Sequence, residues 1–142
     1  MAENTMKLEV ITPERSFYTG DVIFVELNTT EGEVGIYARH IPMTMIIAPG
    51  VLTITEEDGT KKKAALLKGF VEVTETTMSI LAEVAEWPED IDVERAKKAE
   101  ERARKRLEAK SADIDIARAE LALKRALVRK GCLLYTSDAA DE

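Results

Sequence analysis

Apolar residues recur at every second position through much of the first 86 residues. Ile23, Val25 and Leu27 alternate with Phe24, Glu26 and Asn28, and Val71 and Val73 alternate with Glu72 and Thr74. Met78, Ile80, Ala82 and Val84 alternate with Ser79, Leu81, Glu83 and Ala85. Successive side chains of a strand point to opposite faces, so this period predicts strands. Phe24 and Leu81 fall on the nominally polar side, which predicts strands covered in part on both faces. Asp58-Gly59, Pro49-Gly50 and Gly20-Asp21 carry turn chemistry between these runs. Short strands at close spacing, with no helix among them, predict an antiparallel β-sandwich or flattened barrel over residues 1–87.

The period changes at Trp87-Pro88. Pro88 cannot donate to a ladder and is favoured where a helix begins. Asp90 and Asp92 are candidate N-caps. Val93, Ala96, Ala99, Ala103 and Leu107 then mark one face of a first helix. After a break near Ser111, Ile114, Ala117, Leu121 and Val128 mark a second, with Lys124 interrupting the row. Residues 88–131 therefore predict a two-helix antiparallel hairpin. Its stripes are narrow and built largely from alanine, which buries little area at roughly 25 cal/mol per Å². Such a hairpin is expected to be weakly held and able to detach. Gly131 ends the periodicity. Residues 132–142 resemble translated read-through of a sequencing adapter. They are expected not to continue the helix and are set aside, Cys132 included, as an artefactual or disordered tail.

The length of 142 residues suits one ordinary domain, or a small one with an appendage. No apolar run approaches the roughly 18 residues of a membrane span. The opening Ala2-Glu3-Asn4-Thr5 lacks the basic and apolar regions of a secretory leader, so a cytoplasmic chain is expected. One cysteine rules out an internal disulfide and any multi-cysteine metal site. Charge is divided unevenly. Residues 1–88 hold 7 basic and 14 acidic side chains, residues 89–131 hold 13 and 10, and residues 132–142 hold none and 3. An acidic body with a mildly basic arm suits an anionic partner for the arm, or simply a solvated helix surface.

Catalytic chemistry finds little support. His40 is the only histidine and has no clustered ligands around it in sequence. Nucleophile elbows and phosphate loops are absent. The arginines are more informative. Arg95 and Arg102 are seven apart and share a helix face, as do Arg125 and Arg129, four apart. If the helices fold back around residue 112, all four come within about 10 Å along the axis, at roughly 1.5 Å of rise per residue. Guanidinium groups suit bidentate phosphate contacts and repel one another unless carboxylates or a bound polyanion offset them. Both outcomes stay open here: a polyanion site, or neutralisation by Asp92, Glu94 and Glu120 on a solvated surface.

The chain also resembles a known family. Glu31-Gly32-Glu33-Val34-Gly35-Ile36-Tyr37, His40, Pro42, Gly69-Phe70-Val71-Glu72-Val73 and Leu81-Ala82 look like the N-terminal part of bacterial F-type ATP synthase epsilon subunits. Glu89-Asp90-Ile91-Asp92-Val93-Glu94-Arg95-Ala96 and Ala119-Glu120-Leu121-Ala122-Leu123-Lys124-Arg125-Ala126 look like the C-terminal part, most like those of Firmicutes. The resemblance spans about residues 4–131. It implies a β-sandwich followed by a helical hairpin, in a non-catalytic rotor subunit peripheral to the cytoplasmic face of the plasma membrane. It implies partners: the gamma subunit, the ring of c subunits, and the catalytic beta and alpha subunits. By the same carry-over Glu33 and His40 belong to the c-ring interface. No obligatory cofactor or metal is implied, but ATP is a regulatory ligand in members with the motif Ile/Leu-Asp-x-x-Arg-Ala, here Ile91, Asp92, Arg95 and Ala96. Glu86, Arg102, Arg125 and Arg129 join that site by resemblance. The chain departs from the family pattern at Ala38-Arg39, Leu67-Lys68 and Trp87-Pro88, which bears on c-ring contacts, ATP affinity and hinge stiffness.

Two rival classes make different demands. A nucleic-acid module would use the basic helices, but the body is acidic and aromatics are few. An enzyme on the sandwich would need a nucleophile or metal cluster, which the sequence does not provide.

Overall fold

A computed structural model describes residues 4–109 and 116–141. The order is β1 (Met6–Ile11), β2 (Ser16–Thr29), β3 (Gly32–Tyr37), β4 (Met43–Ile47), β5 (Gly50–Glu56), β6 (Lys61–Val73) and β7 (Thr77–Glu86). A short 3-10 turn, Pro88–Asp90, leads to α1 (Val93–Ala109) and α2 (Ile116–Asp141). The predicted break near Ser111 and the apolar position Ile114 lie outside the described residues.

The strands close on themselves. β2 pairs with β1, β3, β4 and β5, and β6 pairs with β4, β5 and β7. The long strands β2 and β6 therefore serve both layers. All pairings are antiparallel except β1 with β7, which is parallel and closes the first strand onto the last. Leu8, Val10, Val25, Leu27, Ile36, Leu52, Ile54, Leu66, Val71, Met78 and Ile80 fill the core. The alternation at residues 71–73 and 78–82 points inward as the sequence pattern predicts.

Two local readings change. Gly20-Asp21 is not a turn: both residues lie within β2, where Gly20 opposes Leu8 and Asp21 opposes Lys7. Gly20 is there for space, because a Cβ would meet the Tyr18 hydroxyl at 2.9 Å. The phase along β2 also slips. A bulge between Val22 and Phe24 puts Val22 and Val25 inside and leaves Ile23 half-buried.

One outer face is unusually apolar. Val10, Ile80, Val71 and Met45 are register partners across β1, β7, β6 and β4 and point into the core. The next row, Ile11, Leu81, Phe70 and Ile46, crosses the same four strands on the outside. Ile46 is 61% exposed and Phe70 46%. Glu9, Ser79, Glu72 and Thr44 form the polar row beside it.

The joint to the helices is built from aromatics and a cap. Trp87 stacks on Phe17 (centroids 4.4 Å apart) and meets Tyr18 edge-on at 6.3 Å. Pro88 opens the 3-10 turn, and Asp92, not Asp90, caps α1: its Oδ1 accepts the Arg95 backbone N–H at 3.1 Å. The helices pack along buried alanines, Ala96 and Ala103 on α1 and Ala119 and Ala126 on α2. This face is offset from the predicted one, since Leu121 is 40% exposed and Val93 is also exposed. α2 also lies against β5, β6 and the 3-10 turn. There Ala65, Ile91 and Cys132 are buried together, with Val51 and Val128 packed against them.

The helix does not stop at Gly131. α2 continues to Asp141, contrary to the expectation that residues 132–142 leave it. A glycine inside a helix costs only about 1 kcal/mol relative to alanine. Cys132 next to it is fully buried against the sandwich.

Candidate functional site

The sandwich, the 3-10 turn and both helices meet around a cleft of about 370 Å³. Glu86 from the end of β7, Asp90 and Asp92 from the junction, Arg95, Ala96, Ala99 and Arg102 from α1, and Arg129 from α2 line it. Arg95 and Arg102 reach it because they are two helical turns apart on one face. Arg129 reaches it because α2 runs back beside α1.

The charges are not all spent on each other. Arg129 Nε donates to Glu86 Oε1 at 2.7 Å, in a pair that is about three-quarters buried on both sides. The Asp92 carboxylate is engaged as the N-cap. Asp90 stands 3.9 Å from Arg15. Arg102 Nε makes only a long bond, 3.4 Å, to the Lys98 carbonyl. Among the described residues, no carboxylate lies within ion-pair distance of Arg95 or Arg102. Glu94 and Glu120, candidates for neutralising the cluster, form no ion pair among the described residues. A concave site with two uncommitted guanidinium groups favours a ligand with several anionic oxygens.

Six of the eight residues carried over by resemblance thus line one cleft: Glu86, Asp92, Arg95, Ala96, Arg102 and Arg129. Ile91 and Arg125 do not. The Ile91 side chain is buried beneath α2 in the apolar cluster and supports the site from below. Arg125 lies off the lining, with its Nε buried and without a hydrogen-bond partner among the described residues. Asp90 and Ala99 were not anticipated as lining residues. Ala99 is legible in hindsight, one turn beyond Ala96 on the same stripe.

The other pair of site residues lies on the sandwich. Glu33 is exposed on β3, opposite Asn28 of β2. His40 is half-buried, and its Nδ1 donates to the Ile41 carbonyl at 2.8 Å, which leaves Nε2 for another partner. Around it Tyr37 and Ile41 are strongly exposed. Arg39 holds the left-handed conformation (φ 65°), and its N–H bonds the Glu75 carbonyl.

The chain is thus a closed sandwich carrying a helical hairpin, with an arginine-lined cleft at their joint. The profile described as "ATP synthase, Delta/Epsilon chain, beta-sandwich domain" matches residues 5–88, and that described as "ATP synthase, Delta/Epsilon chain, long alpha-helix domain" matches residues 89–129. The ATP synthase epsilon chain of Syntrophomonas wolfei is 46% identical over 129 residues, covering 91% of this chain and 94% of the relative. That of Halalkalibacterium halodurans is 48% identical over 126 residues, covering 88% and 94%. Among solved structures, a chain of the Euglena gracilis mitochondrial ATP synthase (OSCP/F1/c-ring, rotational state 1) superposes with a TM-score of 0.81 at 26% identity, over 92% of this chain and 82% of that one. The chain belongs to the delta/epsilon chain family of ATP synthase, and its relatives place it with the epsilon chains, non-catalytic subunits of the central stalk. No described helix is long and apolar enough to cross a membrane.

Proposed function

We propose that the chain is a rotor subunit that helps couple proton flow to ATP synthesis and restrains ATP hydrolysis through an ATP-sensitive hairpin. Its place would be at the cytoplasmic face of the bacterial plasma membrane, held there through the complex. The observation that carries the regulatory part is the cleft at the joint. Arg95, Arg102 and Arg129 come from two helices that meet through alanines. A triphosphate bridging them would join α1, α2 and, through Glu86, the sandwich. ATP would favour the closed hairpin only by as much as it prefers that state. At a hundred times its Kd that preference adds about 2.7 kcal/mol. Without ATP the hairpin would open and offer its basic helices to acidic segments of the catalytic beta subunit.

The assembly part is supported by the sandwich surface. The outward row Ile11, Leu81, Phe70 and Ile46, in which Leu81 is half-buried and the others exposed, suits a large apolar contact, for which the gamma subunit is the partner proposed. The tip with Tyr37, His40 and Ile41, and Glu33 nearby in sequence, suits polar and apolar contact with the c-subunit ring.

Titrating the isolated chain with ATP tests the sensor. Compaction measured by small-angle scattering is expected to saturate, and Arg129→Ala to weaken it at least tenfold, a loss of about 1.4 kcal/mol. No compaction, or an Arg129→Ala variant that compacts as the parent does, defeats the sensor and leaves the rotor role standing.

A further inference from the structure

Two neighbouring cations on α2 serve different partners. Arg129 donates to Glu86 of β7 at 2.7 Å, and Lys130 Nζ donates to Glu100 Oε2 of α1 at 2.8 Å. Consecutive helix positions are about 100° apart around the axis, so one turn of α2 is tied both to the sandwich and to α1. Glu100 is held from its own helix as well. Its Oε1 accepts Arg104 Nη2 at 2.9 Å and Nε at 3.1 Å. Arg104 lies one turn further on and aims the carboxylate at α2. The Glu100 side chain is only 13% exposed, and both its oxygens are filled. Bonds from Lys130 first, then Arg104, hold its carboxyl below the usual range, so it stays ionised at neutral pH. Among the described residues the helices otherwise meet along the alanine seam, which buries little area.

We propose that Glu100 is a nucleotide-independent latch: by gripping Lys130 while Arg129 grips Glu86, it makes the parting of α1 from α2 and the lifting of α2 off the sandwich one coupled event. Glu100 does not line the arginine cleft. The latch therefore sets how closed the hairpin is before any ligand arrives. It rests on the hairpin moving, and not on ATP being what moves it.

The chain carries its own reporter. Cys132, on the face of α2 that meets the sandwich, is fully buried against Ala65 and Ile91, and burial pushes its thiol up to about 11. A thiol reagent such as DTNB should therefore react as α2 lifts, when the thiol is uncovered and returns toward its ordinary value of about 8.5. The rate is measured on the full chain at low salt without nucleotide. E100Q and K130Q are each expected to accelerate it about three- to tenfold, and the double variant no further than the faster single one. K130R keeps the parental rate, and added salt narrows the gap. R104Q, at an exposed position, keeps helix content by circular dichroism and accelerates the reaction about twofold by freeing Glu100. Parental rates in both single variants, or effects that simply add in the double, overturn the latch. Acceleration by E100Q but not by K130Q overturns it too. An ATP arm separates the two proposals. If ATP leaves every rate unchanged while the variants still accelerate, the sensor reading fails and the latch survives.

Discussion

Gly69 shows how one residue can be fixed by its backbone. It sits at a register shift in β6 with φ at 142°, where a Cβ would stand 2.0 Å from the Leu81 carbonyl oxygen. Both the conformation and the space exclude other side chains. The neighbouring strand is part of the closed core and cannot move aside cheaply. Gly69→Ala is expected to lower stability by about 2–4 kcal/mol, read from urea unfolding of the purified chain. A loss below about 0.5 kcal/mol would mean that β6 and β7 are not paired here. Gly69 could be quoted from the sequence as part of a familiar motif, but its reason could not. The bulge exists only once β6 and β7 are in register. The same limit applies to Arg125 and Ile91. Helical spacing puts Arg125, and the family resemblance puts Ile91, near the arginine cluster, yet whether a side chain faces a cleft or a core depends on the crossing of α1, α2 and the sandwich.

At the scale of elements, the hairpin depends on small residues. Ala96, Ala103, Ala119 and Ala126 are all buried, so the helices approach closely along them. Ala126→Leu adds volume to a seam with no room. It is expected to cost about 1–3 kcal/mol of helix docking, seen as earlier loss of ellipticity at 222 nm on heating. Leu127→Ala, at an exposed neighbouring position, is the control and should stay within about 0.5 kcal/mol. Equal effects from the two substitutions would remove the seam from the account. The presence and order of strands and helices were legible, because periods of two and of about 3.6 differ plainly along the chain. Their faces were less so. Leu121 looked like part of the apolar stripe, but close alanine packing turns Ala119 and Ala126 inward and leaves Leu121 exposed. Gly131 looked like a stop, but tertiary contact at Cys132 outweighs its weak helix propensity. Gly20-Asp21 looked like a turn, but the β1 ladder runs straight through it.

For the whole molecule, the surface divides its tasks. The arginine cleft and the latch lie at the joint with the helices, while the apolar row crosses the outer face of β1, β7, β6 and β4. The proposed ligand site and the proposed assembly surface can then change independently. This separation makes a specific demand on Ile46. Its side chain is mostly in water, so Ile46→Glu should alter the stability of the isolated chain by no more than about 1 kcal/mol. In the proposed contact with gamma it would bury a carboxylate in the middle of an apolar row. Affinity for recombinant gamma, measured by calorimetry, is therefore expected to fall at least tenfold, or about 1.4 kcal/mol, with the ATP-dependent compaction unchanged. Undiminished affinity would move the assembly surface elsewhere on the sandwich. Loss of compaction along with affinity would mean that face and joint are not separate, because a surface charge some strands away could then reach the hairpin only through a change in the sandwich itself.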